Sequence, residues 1–216
     1  MVIAAVALFI NGFGVYLTMR AGIGAAPWDV FNLGLSGTFH ILYGTASIAV
    51  SLSILLIDIL LKEPIGIAML IDSIVVGKAV DLFNHISIVP EPKNMGISLL
   101  YLFLGMTIMG YTQALYMKAS LGCSPRDTLL VGLAKRLNKI PIGVVSIGLL
   151  SAATLIGFLL GGPVGPGTVL CALFQGPIMQ WAFESVHFDA TLIHHQNFAR
   201  SLVIIGHGMK PRHSNA

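Results

Sequence analysis

Two short motifs in the sequence carry acidic residues in positions where they could do chemistry. The first reads AAPWDV around Asp29, and the second reads CSPRDT around Asp127. In the second, Ser124 is a good N-cap, proline is favoured at the first helical position, and an acid in the first turn accepts free backbone N–H groups. Each motif therefore predicts a helix start. The two acids either stabilise these starts alone or also contact a solute or ion, and a cationic or neutral solute fits them better than an anion.

A third acid, Asp72, lies seven residues into a long apolar run, roughly 10 Å below the membrane surface if the run is a helix. Ionisable groups at that depth are costly and mark functional sites. Lys78 and Asp81 can pair with each other, which leaves Asp72 without a partner in its own helix. We expect Asp72 to line a polar cavity and bind a proton or cation, with burial among polar groups as the alternative. Asn11 and Gln113 are the further candidate polar groups of this site.

The remaining motif residues have simpler interpretations. Gly24 and its counterpart Gly122 let the chain leave one helix and enter another, and Trp28 is expected to be an anchor at the membrane interface. Pro27, Pro125 and Arg126 are assigned to the same structural group. Asp58 is expected to pair with Lys62, four residues later at the end of a span.

The sequence gives no sign of an enzyme, a cofactor or a metal site. It contains no H-E-x-x-H, G-x-S-x-G or Walker motif. Its two cysteines, Cys123 and Cys171, lack the spacing of a zinc site. Most of the histidines lie in the segment 185–216, which we expect to be a flexible cytoplasmic tail.

The composition determines the solvent in which this chain folds. Of its 216 residues, 56% are hydrophobic and 10% are charged, whereas a soluble domain carries about 25% charged residues. The sequence therefore predicts an integral membrane protein with the lipid bilayer as its partner. The net charge of +3 does not indicate nucleic acid binding, because the basic residues lie between apolar runs instead of forming one face.

Six apolar runs approach the length of about 20 residues that a membrane-crossing helix needs. Two shorter segments, 27–38 and 125–137, are too short and polar for an ordinary crossing and predict half-helices. The first run lacks the basic leader and cleavage site of a signal peptide, so we expect it to be a mature span. The transmembrane domain thus covers 1–184, with spans at 1–19, 44–61, 65–84, 97–117, 141–160 and 164–183.

The positions of lysine and arginine predict the orientation. With six crossings, one side of the membrane receives nine basic residues and the other receives only Arg20 and Lys93. This bias places both termini in the cytoplasm. The nine are Lys62, Lys118, Arg126, Lys135, Arg136, Lys139, Arg200, Lys210 and Arg212.

The two halves of the chain are copies of each other. Segment 21–35 reads AGIGAAPWDVFNLGL and segment 119–133 reads ASLGCSPRDTLLVGL, an offset of 98 with six identities in fifteen places. After one inserted residue the register continues at offset 99, for example from Gly44 to Gly143. Each copy, about 1–85 and 97–184, holds three crossings and one half-helix. Because three is odd, the copies are inverted, which is a recurrent architecture of transporters.

The paired signatures IGAAPWDV with LGLS and ALYMKASLGCSPRD with GL resemble the YczE/YitT-like family of small bacterial integral membrane proteins. The resemblance covers about residues 8–183. It implies a helical fold in the bacterial membrane and leaves the molecular activity open. We expect a transporter or permease-like protein for a small solute or ion. The alternative is an accessory protein that organises a partner complex, and either a homo-oligomer or another membrane protein remains open as the partner.

Overall fold

Eight α-helices and no strands make up the described part of the chain in the computed structural model, which confirms the all-α prediction. The structure describes residues 2–63, 67–118, 124–137 and 139–186. Gly122 and the tail beyond residue 186 lie outside these residues. The helices are α1 (Val2–Arg20), α2 (Pro27–Phe39), α3 (Tyr43–Leu60), α4 (Ile67–Ile86), α5 (Met95–Lys118), α6 (Pro125–Arg136), α7 (Ile142–Leu159) and α8 (Pro166–Ser185).

Three of these helices are long and apolar enough to cross a membrane, at Tyr43–Leu60, Met95–Leu115 and Ile142–Leu159. The helices α4 and α8 have 20 residues each and carry more polar side chains. Many large apolar side chains point away from the protein, and Leu60 and Leu159 are 80% and 75% exposed. These surfaces must face lipid, because the exposure of so many large apolar side chains to water is unfavourable.

The two predicted half-helices form, and each begins at its proline. At the start of α6, Ser124 is the N-cap, and its Oγ accepts a hydrogen bond from the Asp127 N–H at 3.4 Å. At the start of α2, Ala26 has no side-chain cap, and its carbonyl accepts hydrogen bonds from the N–H groups of Asp29 at 2.8 Å and Val30 at 2.9 Å. The two helices have 13 and 12 residues, too few to cross the hydrocarbon core.

The centre of the bundle is the pair α1 and α5, which pack along each other. They approach most closely where Gly14 faces Gly105, since a Cβ atom built on Gly14 would lie 3.0 Å from the Gly105 carbonyl oxygen. Near this crossing, Asn11 donates a hydrogen bond to Thr112 Oγ1 at 3.1 Å. The helix α4 packs on α1, and α8 packs on α5.

The half-helices connect the outer helices across the two halves of the sequence. The helix α2 lies against α7 and α3, while α6 lies against α3 and α7. At the C-terminal end of α2, Thr38 Oγ1 donates to the Leu160 carbonyl at 3.0 Å. At the C-terminal end of α6, Arg136 donates to the Leu61 carbonyl and pairs with Glu63 at 3.5 Å.

Two expected ion pairs are wrong. Asp81 does not pair with Lys78, because its Oδ1 accepts the Gly44 N–H at 2.7 Å and so caps α3 from the neighbouring helix α4. Asp58 does not pair with Lys62. It is fully buried, and both of its carboxylate oxygens lack a hydrogen-bond partner among the described residues.

Candidate functional site

Side chains at the N-terminal ends of α2 and α6 approach each other. The guanidinium carbon of Arg126 lies 5.2 Å from the centre of the Trp28 ring, a distance that permits a cation–π interaction. Trp28 and Arg126 occupy equivalent positions of the two sequence copies, at offset 98. Two residues 98 positions apart thus come into contact, with Asp29 and Asp127 directly after them.

On the α2 side of this contact the polar groups are buried. Asp29 is 3% exposed, and its Oδ1 accepts a hydrogen bond from the Tyr43 hydroxyl at 2.7 Å. That hydroxyl accepts from the Asn32 side-chain amide at 3.4 Å. Cys171, also buried, is within electrostatic range of Asp29. In this half of the site, hydrogen bonds therefore link Asn32 to Tyr43 and Tyr43 to Asp29.

On the α6 side the polar groups are more open. Asp127 is exposed, and its Oδ2 accepts hydrogen bonds from Ser124 at 3.1 Å and from Gln113 at 3.4 Å. Asp72 is half-buried and interacts electrostatically with Arg126 and Asp127. The structure thus brings together four sequence-predicted residues from α4, α5 and α6.

The other predicted residues lie at the edges of this arrangement. Pro27 and Pro125 are buried at the starts of their helices. Gly24 has a φ of +111°, a backbone conformation that favours glycine, and it contacts the Gly165 backbone in the loop before α8. Asn11 belongs to the α1–α5 contact with Thr112 and makes no hydrogen bond to the acidic residues.

Sequence reasoning missed Tyr43, Asn32 and Glu63. A signal was available for Asn32, since a polar residue three positions after Asp29 in an apolar helix faces the same side. Tyr43 carried no such signal, because its contact with Asp29 depends on how α3 crosses α2. Glu63, which pairs with Lys135 at 2.6 Å, likewise lies far from its partner in sequence.

The arrangement is suited to holding a charged or polar solute within a membrane. It combines three carboxylates, one guanidinium and one indole ring on the three helices α2, α4 and α6. Carboxylates at such depth bind protons or cations, because an isolated negative charge is costly there. The inward-pointing starts of α2 and α6 are broken-helix features of the kind that line solute sites in transporters.

The fold and the site define the protein as an α-helical integral membrane protein with a polar centre. Residues 1–184 match the family DUF6198, which is described as a family of unknown function. The chain belongs to this family, a YczE-like group of bacterial membrane proteins, so the resemblance inferred from the paired motifs is confirmed.

Relatives in two bacteria cover most of the chain. An uncharacterised protein of Haemophilus influenzae is 34% identical over 81% of this chain and 79% of its own length. The uncharacterised membrane protein YczE of Bacillus subtilis is 29% identical, with 81% of each chain covered. A second Bacillus subtilis protein, YyaS, is 25% identical over 81% of this chain and 87% of its own. No solved structure matches the chain significantly.

Proposed function

We propose that the protein is a transporter or permease-like protein that moves a small solute through a site where α2 and α6 begin. The observation that carries this proposal is the contact between Trp28 and Arg126, with the carboxylates of Asp29, Asp127 and Asp72 around it. Charged groups at membrane depth are expensive and are retained for function. A site between two halves of a bundle can be reached from either side when the halves move relative to each other.

The proposed architecture is a 3+3 inverted repeat of six crossings with both termini in the cytoplasm. Equivalent contacts in the two halves support it. Thr38 donates to the Leu160 carbonyl, and at offsets 98 and 99 the counterpart residue Arg136 donates to the Leu61 carbonyl. The C-terminal end of α2 thus contacts the C-terminal end of α7, and the C-terminal end of α6 contacts the C-terminal end of α3.

A second equivalence concerns the inner helices. Gly12 of α1 lies against Ala79 and Val76 of α4, while its counterpart Gly110 of α5 lies against Ala182 and Met179 of α8. A glycine thus lies at the helix contact in each half, and the approach is closer at Gly12 than at Gly110.

Cysteine labelling tests the architecture. In a chain without native cysteines, we expect Glu91→Cys to react with an impermeant maleimide in intact cells. Lys139→Cys should react only after the membrane is opened. Labelling of Lys139→Cys from outside would contradict the inverted arrangement.

A solute screen tests the function. We expect at least one small solute to raise the thermal unfolding midpoint of the purified protein, because a ligand that binds the native state stabilises it. The same solute should enter liposomes that contain the protein. Asp72→Asn should abolish both effects without loss of folding, while Glu184→Gln, at the exposed end of α8, should leave both unchanged. Equal binding and uptake by Asp72→Asn would contradict the proposed site.

A second candidate function is that of an accessory protein that assembles with another membrane protein. The observation in its favour is the exposed face of α7, where Cβ atoms built on Gly143 and Gly148 would meet no atom within 4 Å. Small residues of this kind let membrane helices approach closely. Solute binding without uptake, together with a particle mass in detergent that falls in the Gly143→Leu variant, would favour this candidate.

A further inference from the structure

The charges around Trp28 do not balance. Three carboxylates, those of Asp29, Asp72 and Asp127, interact electrostatically with a single cation, Arg126. None of the three ion pairs among the described residues includes Arg126. One guanidinium thus serves three carboxylates without a close pair to any of them, which leaves room for a second positive charge.

The indole of Trp28 shows what kind of cation the site accommodates. The guanidinium of Arg126 lies over this ring at 5.2 Å. A ring face attracts cations through its quadrupole, and planar guanidinium groups also stack on it. Because Arg126 reaches the ring on a flexible side chain, another cation of the same shape can take its place.

The buried half of the site has an acceptor that lacks a donor. Asn32 is fully buried, and its Oδ1 has no hydrogen-bond partner among the described residues. Its amide nitrogen donates to Tyr43, which in turn donates to Asp29. Buried acceptors are nearly always paired in native proteins. The free oxygen and the carboxylates are all acceptors, so a fitting ligand supplies N–H donors.

We propose that the site binds an organic cation with N–H donors, of the guanidinium or primary ammonium class, which replaces Arg126 on the face of Trp28. This inference rests on the proposed function and names its substrate class. Arg126 is then a tethered competitor, whose guanidinium lies over the Trp28 ring when no organic cation is bound. Entry of the cation displaces the side chain of Arg126 towards Asp127 and Asp72 on the open side.

Tryptophan fluorescence provides a direct test. The chain has two tryptophans, and Trp181 is exposed on α8, where it packs against Tyr111. The Trp181→Phe variant therefore leaves Trp28 as the only reporter. In nanodiscs, we expect guanidinium and methylammonium to change its emission in a saturable way. Sodium and tetramethylammonium at the same ionic strength should give no saturable change, since neither has N–H donors.

Two substitutions in this background move the affinity in opposite directions. Asp127→Asn should weaken binding of guanidinium at least tenfold, because one carboxylate is lost. Arg126→Gln should strengthen it several-fold, because the tethered competitor is removed. If Arg126→Gln does not fold, Arg126→Lys replaces it, and a smaller gain is expected because lysine does not stack on the ring as guanidinium does. Glu184→Gln is the matched control and should bind as the parent does.

The outcomes separate this inference from the proposed function. A change that does not saturate, or that is equal with sodium, overturns the inference, as does unchanged affinity in both Asp127→Asn and Arg126→Gln. Saturable binding without uptake into liposomes supports the organic-cation site and contradicts the proposed transport. Uptake of a neutral or anionic solute, with no response to guanidinium, contradicts the organic-cation site and supports transport.

Discussion

The helix pairs α3–α4 and α7–α8 correspond in sequence, yet they pack differently. In the first pair the backbones meet at Gly44 and Gly77, where a Cβ on Gly77 would lie 2.9 Å from the Gly44 carbonyl oxygen. Asp81 then caps α3 by accepting the Gly44 N–H. In the second pair, a Cβ built on Gly143 or its partner glycine at position 176 would meet no atom within 4 Å.

One residue that differs between the two helix pairs fits this difference in packing. The counterpart of Asp81 at offset 99 is Gln180, which donates to Glu184 of its own helix at 2.9 Å instead of reaching α7. A carboxylate accepts the free N–H groups at a helix start more strongly than an amide does. The same pattern of small residues can therefore lie in a closed helix pair, as in α3–α4, or in an open one, as in α7–α8. The polar residue beside the pattern favours one of these two arrangements.

The two sides of the candidate site differ in solvent exposure, as the two helix pairs differ in packing. Asp29, on the side of the closed pair, is buried, whereas Asp127 is exposed. Under the proposed orientation, the closed pair lies towards the outside and the open pair towards the cytoplasm. We therefore expect this structure to represent the cytoplasm-facing arrangement of a transporter, with the roles of the two pairs exchanged in the other arrangement.

The largest effect is expected when a large side chain is placed at the closed contact. Gly44→Leu should destabilise the protein by about 3 kcal/mol, because its side chain would overlap the α4 backbone and separate the helices. Gly143→Leu, its counterpart, should change stability by less than about 0.5 kcal/mol. Thermal unfolding midpoints in detergent measure both. Equal losses in the two variants would show that the second pair also closes in solution.

A smaller effect is expected at the cap. Asp81→Ala should cost about 1–2 kcal/mol, because the Gly44 N–H would lose its acceptor at a buried helix start. Asp81→Asn should recover most of this loss, since asparagine also caps well. Gln180→Ala, the matched control, should be within about 0.5 kcal/mol of the parent, because the Gln180–Glu184 hydrogen bond is exposed. Similar losses for both alanine variants would contradict the proposed role of Asp81.

Alanine at the other two glycines should give effects of different size. Gly77→Ala should destabilise by about 1 kcal/mol, because the added methyl group meets the Gly44 backbone. Gly176→Ala should change stability by less than about 0.5 kcal/mol, because the gain in helix propensity is offset by contact of the new Cβ with the ring of Pro177. Chemical or thermal unfolding of the two variants in the same detergent distinguishes these outcomes. Equal destabilisation by both alanine variants would contradict the difference in packing between the two helix pairs.

The smallest effect is a difference in distance distributions, with no change in stability. Spin labels at Thr45 and Ile74, both exposed on α3 and α4, should give one narrow distance. Labels at the counterparts Val144 and Leu173 should give a broader distribution that shifts when guanidinium is added. Pulsed electron paramagnetic resonance in nanodiscs measures both pairs. Two equally narrow distance distributions that do not change when guanidinium is added would indicate a rigid bundle.

Much of the fold could be predicted because its signals are local. A proline followed by an acid two residues later predicts the starts of α2 and α6, since it satisfies the requirements of a first helical turn. The paired motifs also predicted the family. The position of Trp28 could not be predicted: an aromatic residue beside a helix start indicates an anchor at the membrane interface as readily as a site residue. Only the approach of Arg126 from a segment 98 residues away distinguishes the two.

By itself, the sequence determined that lipid is the solvent and where most helices begin and end. These properties depend on composition and on residues that are neighbours in the sequence. Only the tertiary structure decided that Trp28 meets Arg126, that Asp81 caps α3, and that one helix pair is closed while its copy is open. Such contacts join residues far apart in sequence, and their free energies depend on the packing of the helices between them, which no local pattern encodes.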